Sequence, residues 1–321
     1  MSFEVFEMLL NSQSLYFSRF DKFDDHLEGG INSKNFPSIS NELRILDGAM
    51  NSCWPGTSPR GEQELVKMQE TQHEIASETF QSIFGVQKKV NGNAYLRNIS
   101  SWLYANCWTD LPYECQAMWQ LYGSSGGNCR HETGCEECKR TVGNSVCIET
   151  TIGAILDNLE FKEGFNLSIQ KVEYLDHRLT KFSDNDLISR PFFSKALHFS
   201  YENEVRFMLW PDRQDIEFSY KYNKSTRNEE GSQVLHIKDV EALIGKIILS
   251  PLPIKVTKKI IDPYKDPCSS KLGLQDSLAN LALREKVKSL CVRNNVDIEI
   301  VESDLNQVST SDCYTYAGAM K

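Results

Sequence analysis

The segment "FSYENEVRFMLW" at residues 199–210 carries ionisable side chains at alternate positions. Read as a strand, it has one mostly apolar face, while Glu202, Glu204 and Arg206 share the other face at a spacing of about 7 Å. This row could form the floor of an active site or a solvated outer face, and a surface Glu204–Arg206 pair would contribute about 0–1 kcal/mol. On the pattern alone, the solvated face is the better interpretation. Lys195 precedes the strand and is a further ionisable group.

A second polar constellation lies in "LYFSRFDKFDDHLEG" at residues 15–29. Arg19 lies near the end of a strand predicted over residues 13–20, and four ionisable residues follow within a few positions: Asp24, Asp25, His26 and Glu28. Acids at this density could bind a cation or pair with an arginine from another segment. Turn capping with a surface ion pair explains the same pattern and is the simpler hypothesis.

Aromatic residues dominate the third constellation, "CWTDLPYECQAMWQLYG" at residues 107–123. The pattern predicts a helix over residues 112–123 that ends at Gly123. Met118, Trp119 and Tyr122 then lie within one turn, since residues three and four apart share a helix face. Such a face is more often part of a hydrophobic core than a platform for stacking a base.

Cysteines cluster in "NCRHETGCEECKRTVGNSVC" at residues 128–147. Cys135 and Cys138 form a Cys-x2-Cys pair, and Cys129 with His131 supplies a second pair, which is a spacing typical of a structural zinc site. The surrounding Gly, Asn, Thr and charged residues offer no hydrophobic core, so a metal would have to hold this loop. The fourth ligand is His131 or Cys147, with His131 preferred because Cys147 lies in an apolar strand. A loop with reactive thiols is the alternative.

Composition narrows the class of protein. The chain has 321 residues, 40% of them hydrophobic and 25% charged, with a net charge of −9. That charge disfavours broad attraction to nucleic acid or anionic membranes. The sequence has no apolar run near the ~20 residues that span a bilayer and no basic segment typical of a signal peptide at its start. We therefore expect a soluble, cytoplasmic protein without a membrane partner.

Strands and helices are interspersed rather than strictly alternating, which predicts an α+β fold. We expect one domain over residues 1–321, with a mixed or antiparallel central sheet, flanking helices and a Cys-rich zinc-binding insert at 128–144. The predicted helices cover residues 61–84, 112–123, part of 187–199 and a long stretch within 269–296. The predicted strands cover residues 13–20, 103–108, 166–175, 199–210, 216–222, 232–237, 243–251 and 297–303, and residues 145–159 are predicted as a strand leading into a helix.

Three blocks resemble, in the same order, the bacterial domain-of-unknown-function family 2971. "LYFSRFDKFDDHLEG" resembles the opening strand and acidic turn of that family, although Asp25-His26 replaces its Asp-Pro. "NCWTDLPYECQAMWQLYG" is similar to its Cys-Phe/Trp-Ser/Thr strand followed by Met-Trp-x-x-Tyr. "FSKALHFSYENEVRFML" resembles its third block, a Lys followed by an aromatic-x-x-Glu-x-Glu-x-Arg strand. On this alignment, residues 127–142 are an insertion.

The resemblance implies a layout similar to that of ADP-ribosyltransferase-like folds, with a basic or aromatic first strand, a Ser or Thr on a middle strand and a Glu on a late strand. The late Glu in such enzymes holds the nicotinamide ribose of NAD. The implied catalytic residues here are Arg19, Glu202, Glu204 and Arg206. The implied cofactor-binding residues are Tyr16, Ser18, Thr109, Trp119 and Tyr122, with either of the last two stacking on the nicotinamide.

Three functions follow as hypotheses, of which the first is preferred and the other two are alternatives. The first is an NAD-consuming enzyme that transfers ADP-ribose to a nucleic-acid or protein target, or hydrolyses NAD, as a toxin or anti-phage defence effector. The second is a metal-dependent nuclease with a cation held by early and late acids, namely Asp24, Asp25, Glu28, Glu202 and Glu204. The third is a non-catalytic sensor or interaction module of a bacterial defence system, in which the charged residues pair with one another.

Overall fold

A computed structural model describes residues 1–23, 31, 35, 66, 69–70, 73–74, 76–123, 144–219, 227–251 and 271–306, with side chains of the last range described from residue 281. The chain divides into two compact units. The first comprises Met1–Leu15, Leu111–Phe161 and Leu235–Lys321, and the second comprises Tyr16–Asp110 and Lys162–Val234.

The helices and strands are as follows. The helices are α1 (Phe3–Ser12), α2 (Gly92–Asn98), α3 (Gln116–Tyr122), α4 (Ile152–Asn158), α5 (Val240–Leu243) and α6 (Lys271–Arg293). The strands are β1 (Ser14–Arg19), β2 (Thr79–Ser82), β3 (Gly85–Lys88), β4 (Tyr104–Thr109), β5 (Val146–Glu149), β6 (Phe165–Lys171), β7 (Glu173–Leu175), β8 (Ser194–Ala196), β9 (Glu204–Pro211), β10 (Ser232–His236), β11 (Lys246–Leu249) and β12 (Glu299–Val301). Short 3-10 helices cover Phe20–Lys22, Lys89–Asn91, Ile99–Trp102, Asp186–Ile188, Arg190–Phe193 and Leu197–Glu202.

A five-stranded sheet in the order β10-β1-β4-β9-β6 organises the second unit. β4 is antiparallel to both β1 and β9, and β6 is antiparallel to β9. β9 is buried over most of its length because it lies inside the sheet, which explains the nearly continuous apolar run Val205–Leu209 broken only by Arg206. A hydrophobic core covers part of one sheet face, where Ala105 and Met208 pack with aromatic residues including Phe84, Tyr95 and Phe192.

The first unit contains a separate three-stranded sheet in the order β12-β11-β5, with β11 parallel to β12 and antiparallel to β5. Ser2 caps the N-terminus of α1, because its hydroxyl accepts a hydrogen bond from the backbone N–H of Val5 at 3.4 Å. That helix buries Phe6, Leu9 and Leu10. Within the described residues, no helix combines the length and the apolar character needed to cross a membrane.

The predicted α+β class is confirmed as a mixed fold with an antiparallel sheet and several helices. The early strand, the helix that ends at Gly123, the strand and helix within 145–159, the long C-terminal helix and the closing strand are also confirmed. The predicted zinc-binding insert lies almost wholly outside the described residues.

The helix predicted over residues 61–84 is wrong at its end, because Thr79–Ser82 pairs with Gly85–Lys88 as a hairpin. Phe80 and Phe84 fit helical spacing, but the hairpin buries both of them. Gly85 has a φ of +87°, which favours glycine at this turn. Tertiary burial of the aromatic side chains therefore overrides the helical pattern.

The strand predicted over residues 216–222 is also wrong in its described part, since residues 216–219 are not in a strand. Ile216 and Phe218 are buried alternately as a strand pattern requires. Their backbone groups bond to a side chain instead, because the amide of Gln87 donates to the Ile216 carbonyl at 3.0 Å and accepts from the Phe218 N–H at 3.4 Å. One buried glutamine thus replaces a neighbouring strand.

The strand predicted over residues 199–210 begins later than expected, at Glu204. Residues Leu197–Glu202 form a 3-10 helix, and Asn203 follows it in the left-handed conformation with a φ of 43°. Glu202 is therefore not a strand residue. The helix predicted within 187–199 is replaced by short 3-10 helices on either side of β8.

Candidate functional site

The register of the sheet places several of the predicted residues on one face. Thr109 lies opposite Glu204, and Cys107 lies opposite Arg206. Directly opposed residues of antiparallel strands share a face, so these four side chains lie together. Ser18 lies opposite Ala105, two residues before Cys107, and belongs to the same face. We call this the cluster face.

Four charged side chains form a buried charge cluster, defined as Lys195, Glu202, Glu204 and Arg206. Arg206 Nε donates to Glu204 Oε1 at 2.7 Å. Lys195 Nζ donates to Glu202 Oε2 at 2.8 Å and lies 3.5 Å from Glu204 Oε2. The four residues are between 0% and 6% exposed. Two cations and two anions sum to zero charge, so the cluster is neutral as well as buried.

Aromatic rings and a carbonyl complete the surroundings of the two cations. The Lys195 ammonium lies 4.8 Å from the centre of the Phe199 ring, and the Arg206 guanidinium lies 4.9 Å from the centre of the Phe20 ring. Arg206 Nη1 also donates to the Phe192 carbonyl at 2.8 Å. These contacts stabilise both cations where water is largely excluded.

The turn between Glu202 and Glu204 brings both carboxylates to Lys195. Asn203 tolerates the left-handed conformation better than most residues, and its carbonyl accepts a hydrogen bond from the Asp110 N–H at 2.9 Å. Thr109 Oγ1 donates to the Glu202 carbonyl at 2.6 Å. Thr109 at the end of β4 and Asp110 directly after it thus hold the backbone of this turn.

Electrostatics keep Glu204 ionised. Burial by itself would raise the pKa of this carboxyl group. The charge and hydrogen bond of Arg206, a hydrogen bond from the Cys107 thiol and the charge of Lys195 outweigh burial, so the pKa of Glu204 lies below its usual value. Tyr174 accepts a hydrogen bond from the Glu204 N–H at 2.8 Å, and burial raises the pKa of its phenol.

Arg19 does not join this cluster. It lies opposite Tyr104, which lies opposite Leu209, and Leu209 is three residues from Arg206 on the same strand. An odd spacing along a strand puts Arg19 on the face opposite the cluster face. There Arg19 Nε donates to Asp21 Oδ1 at 2.6 Å, and Nη1 donates to the carbonyl of Asn228 at 2.8 Å.

The predicted cofactor-binding residues have different surroundings. Tyr16 is 57% exposed, Ser18 is half-buried, and Thr109 is exposed with its hydroxyl directed at the Glu202 carbonyl. Trp119 and Tyr122 belong to the other unit. Trp119 is buried and its Nε1 donates to Glu114 Oε2 at 2.9 Å, whereas Tyr122 is 51% exposed.

The predicted zinc ligands Cys129, His131, Cys135 and Cys138 lie outside the described residues, as do the early acids Asp24, Asp25 and Glu28. Cys147 is described and lies in β5, where burial raises the pKa of its thiol. In the part of the chain that the structure describes, no group of three or more His, Cys, Asp or Glu side chains could hold a metal ion.

Sequence reasoning misses the roles of two residues. Lys195 stands in the sequence as an ionisable group upstream of the strand and as the Lys of the third block, with no role assigned, yet it bridges both glutamates. Cys107 matches the Cys of the second block, a match that assigns it no role, yet its thiol reaches Glu204. A lysine a few residues before a Glu-x-Glu pair is the available signal for Lys195, since buried acids need a nearby cation.

No protein-family model matches the sequence, and no curated protein or solved structure is significantly similar to it. The resemblance to family 2971 therefore depends on the three sequence blocks alone.

Proposed function

We propose that the chain is a non-catalytic interaction module in which the charge cluster holds a surface turn in one conformation. The observation that carries this proposal is the pairing of Glu204, whose two carboxylate oxygens face Arg206 at 2.7 Å and Lys195 at 3.5 Å. A glutamate that stabilises positive charge on a substrate needs an oxygen directed at that substrate. Here both oxygens face cations of the chain itself.

The turn held by the cluster spans residues 197–203. The buried side chain of Glu202, which is 4% exposed, holds the turn to Lys195. Leu197 and Tyr201 in the same turn are 53% and 40% exposed. His198 is also exposed. A buried anchor beneath an exposed apolar and aromatic turn is a suitable arrangement for recognising another macromolecule, since a fixed turn loses little conformational entropy on binding.

A buried charge cluster is better suited to holding a turn in one conformation than to increasing the stability of the fold. Replacing such a cluster with apolar residues is often neutral or stabilising, whereas removing one partner is strongly destabilising. The cluster therefore specifies one arrangement of Lys195, Glu202 and the turn.

Hydrogen exchange with mass spectrometry tests this proposal. Lys195→Met should speed amide exchange in residues 197–204, because Glu202 loses its partner. Arg178→Met is the matched control, since Arg178 is 85% exposed in an ion pair with Asp176 of the same unit, and it should leave the turn unchanged. NAD turnover by the wild-type chain that disappears in a folded Glu204→Gln variant would contradict the proposal.

A second candidate is the ADP-ribosyltransferase-type enzyme, with NAD as substrate and a nucleotide or macromolecular acceptor. The observation that favours it is the strand order, because β1, β4 and β9 are neighbours and Thr109 lies opposite Glu204. The first, middle and late strands of the implied ADP-ribosyltransferase-like layout are therefore neighbours in the sheet. Glu204 would have to separate from Lys195 to reach a ribose. Arg19 would act from the opposite face of the sheet.

Nicotinamide release from NAD, measured on the purified chain, tests the second candidate. The expected result is turnover that Glu204→Gln abolishes and that Arg178→Met leaves unchanged. Absence of nicotinamide release with every acceptor class tried, protein, RNA and DNA, would reject it.

We also propose that the chain belongs to family 2971 and that it binds a structural zinc. The proposed zinc ligands are Cys129, His131, Cys135 and Cys138. Support for zinc comes from the Cys-x2-Cys spacing in a segment with few apolar residues. Metal analysis of the purified chain should find zinc bound, and Cys135→Ser with Cys138→Ser should remove it. A metal-free wild-type chain, purified without chelator, would contradict the zinc site.

A further inference from the structure

β6 lies at one edge of the five-stranded sheet, next to β9. Its register with β9 runs from Phe165 opposite Pro211 to Lys171 opposite Val205. Among the described residues, β9 is the strand that β6 pairs with in this sheet. Within that part of the chain, the other side of β6 is a sheet edge, and such edges are templates for pairing with a further strand.

Two hydrogen bonds show which backbone groups of β6 face outward. The Asp212 N–H donates to the Gly164 carbonyl at 2.8 Å, and the Val172 N–H donates to the Glu204 carbonyl at 2.9 Å. Both pairs follow the register of β6 with β9, and backbone groups along an antiparallel strand alternate in direction. Even-numbered residues therefore bond to β9, while Leu167, Ile169 and Lys171 direct their N–H and C=O groups away from it.

The side chains of β6 do little to protect this edge. The sequence "FNLSIQK" contains no proline, and its one lysine is the last residue. Leu167 and Ile169 are half-buried and share a face. Natural sheets usually block exposed edges with proline, central charges or bulges, so an edge with apolar residues at its centre is suited to a partner strand.

We propose that β6 pairs antiparallel with β6 of a second copy of this chain, centred on Ser168. In this register Leu167 lies opposite Ile169 of the second copy, Asn166 lies opposite Gln170, and Phe165 lies opposite Lys171. The pairs are apolar with apolar, amide with amide and aromatic with cation, each of which is a favourable cross-strand pair. The two five-stranded sheets become one continuous sheet.

The backbone supports this register independently of the side chains. Centring on Ser168 pairs odd-numbered residues with odd-numbered residues, so the outward N–H and C=O groups of Leu167 and Ile169 meet one another, whereas the Phe165 N–H already donates to the Lys162 carbonyl at 3.3 Å. A slip by one residue would oppose outward groups to groups already bonded to β9. A slip by two residues leaves the strand ends unpaired. Lys171 also forms an ion pair with Asp110, which leaves its aliphatic stem available to the facing Phe165.

Sedimentation equilibrium on the 321-residue chain tests the interface. We expect a wild-type dimer, and we expect Ile169→Lys to raise its dissociation constant about tenfold or more, because two charges would then replace the apolar partners of Leu167 near the centre of the interface. Ile169→Pro should do the same, since it removes an outward N–H and leaves the bonds to β9 in place. Gln170→Lys is the matched control on the same strand, and it should leave dimerisation within a few-fold of wild type.

A crosslink gives a second, position-specific test. Ser168 of the two copies would face each other as a non-hydrogen-bonded pair, with Cα atoms about 4.5 Å apart, within the range for a disulfide. Ser168→Cys should form a disulfide between the two copies at this position under mild oxidation, identified by peptide mass spectrometry, while Asn166→Cys should not. A wild-type chain that stays monomeric at about 100 µM, where even weak interfaces populate dimers, or a dimer unchanged by both Ile169 variants, would overturn the proposal.

Discussion

Arg206 and Arg19 belong to the same sheet and are both buried, but they form opposite kinds of charge network. Arg206 is 0% exposed and pairs with Glu204 inside a neutral cluster. Arg19 pairs with Asp21, which also pairs with Arg227, and the Arg227 side chain is 56% exposed. All four members of the Arg206 network are buried, whereas the Arg19 network extends to the exposed Arg227.

The difference shows how the surroundings of a charged residue decide what its removal leaves behind. Loss of Arg206 would leave Glu204 buried with Lys195 as its remaining cation. Loss of Arg19 would leave the Asp21 carboxylate paired with Arg227, whose side chain is exposed to solvent. The energetic weight of the two arginines should therefore differ although both are buried.

The largest expected effect follows from this contrast. Arg206→Met should lower the free energy of unfolding by about 3–5 kcal/mol, since it breaks a buried ion pair. Arg19→Met should cost less, about 1–3 kcal/mol, mainly from carbonyls of Asn228 and Glu230 that lose their donor. Urea denaturation of both variants measures the difference. Equal losses would show that the buried cluster around Arg206 has no greater energetic weight than the Arg19 network.

A double-mutant cycle sharpens the comparison within the cluster. Lys195→Met alone should be strongly destabilising because Glu202 stays buried. Adding Glu202→Gln should recover part of that loss, with a coupling energy of about 0.5–3 kcal/mol. Additive losses in denaturant unfolding would mean that the 2.8 Å contact contributes nothing specific.

A smaller effect concerns acid stability. The pKa of Glu204 in the folded chain lies below its ordinary value of 4.5, so folding favours the carboxylate. The contribution of the Glu204 carboxylate to the free energy of unfolding is present above the ordinary pKa of 4.5. It is lost as the pH falls through the lower pKa of the folded state. Glu204→Gln should therefore flatten the acid limb of the stability profile. Glu173, whose pKa the Arg190 hydrogen bonds also lower, is an exposed control, and Glu173→Gln should change that limb less.

The smallest expected effect is at the solvent end of the Arg19 network. Arg227→Ala should cost about 0–1 kcal/mol, as exposed ion pairs usually do, and the loss should shrink further at high salt. Salt-dependent thermal unfolding measures it. A loss as large as that of Arg206→Met would remove the distinction between the two networks.

Local patterns in the sequence were sufficient for many of the elements. β1, β10 and β11 and the helices α3, α4 and α6 fall within their predicted ranges, and β4 is shifted by one residue, because periodicity and a C-cap glycine are local features. The candidate site was found only in part. Glu204 and Arg206 were identified on one face, whereas Glu202 proved to lie in a 3-10 helix and Arg19 on the opposite face.

The sequence by itself determined that residues from Glu204 onward form a strand with an acid and an arginine on the same side, since alternation along a strand is a property of the backbone. Only the tertiary structure decided that this side is buried, that Lys195 lies between Glu202 and Glu204, and that Thr109 faces Glu204 from another strand. Those outcomes depend on register and packing between segments far apart in the chain, and no local spacing encodes them.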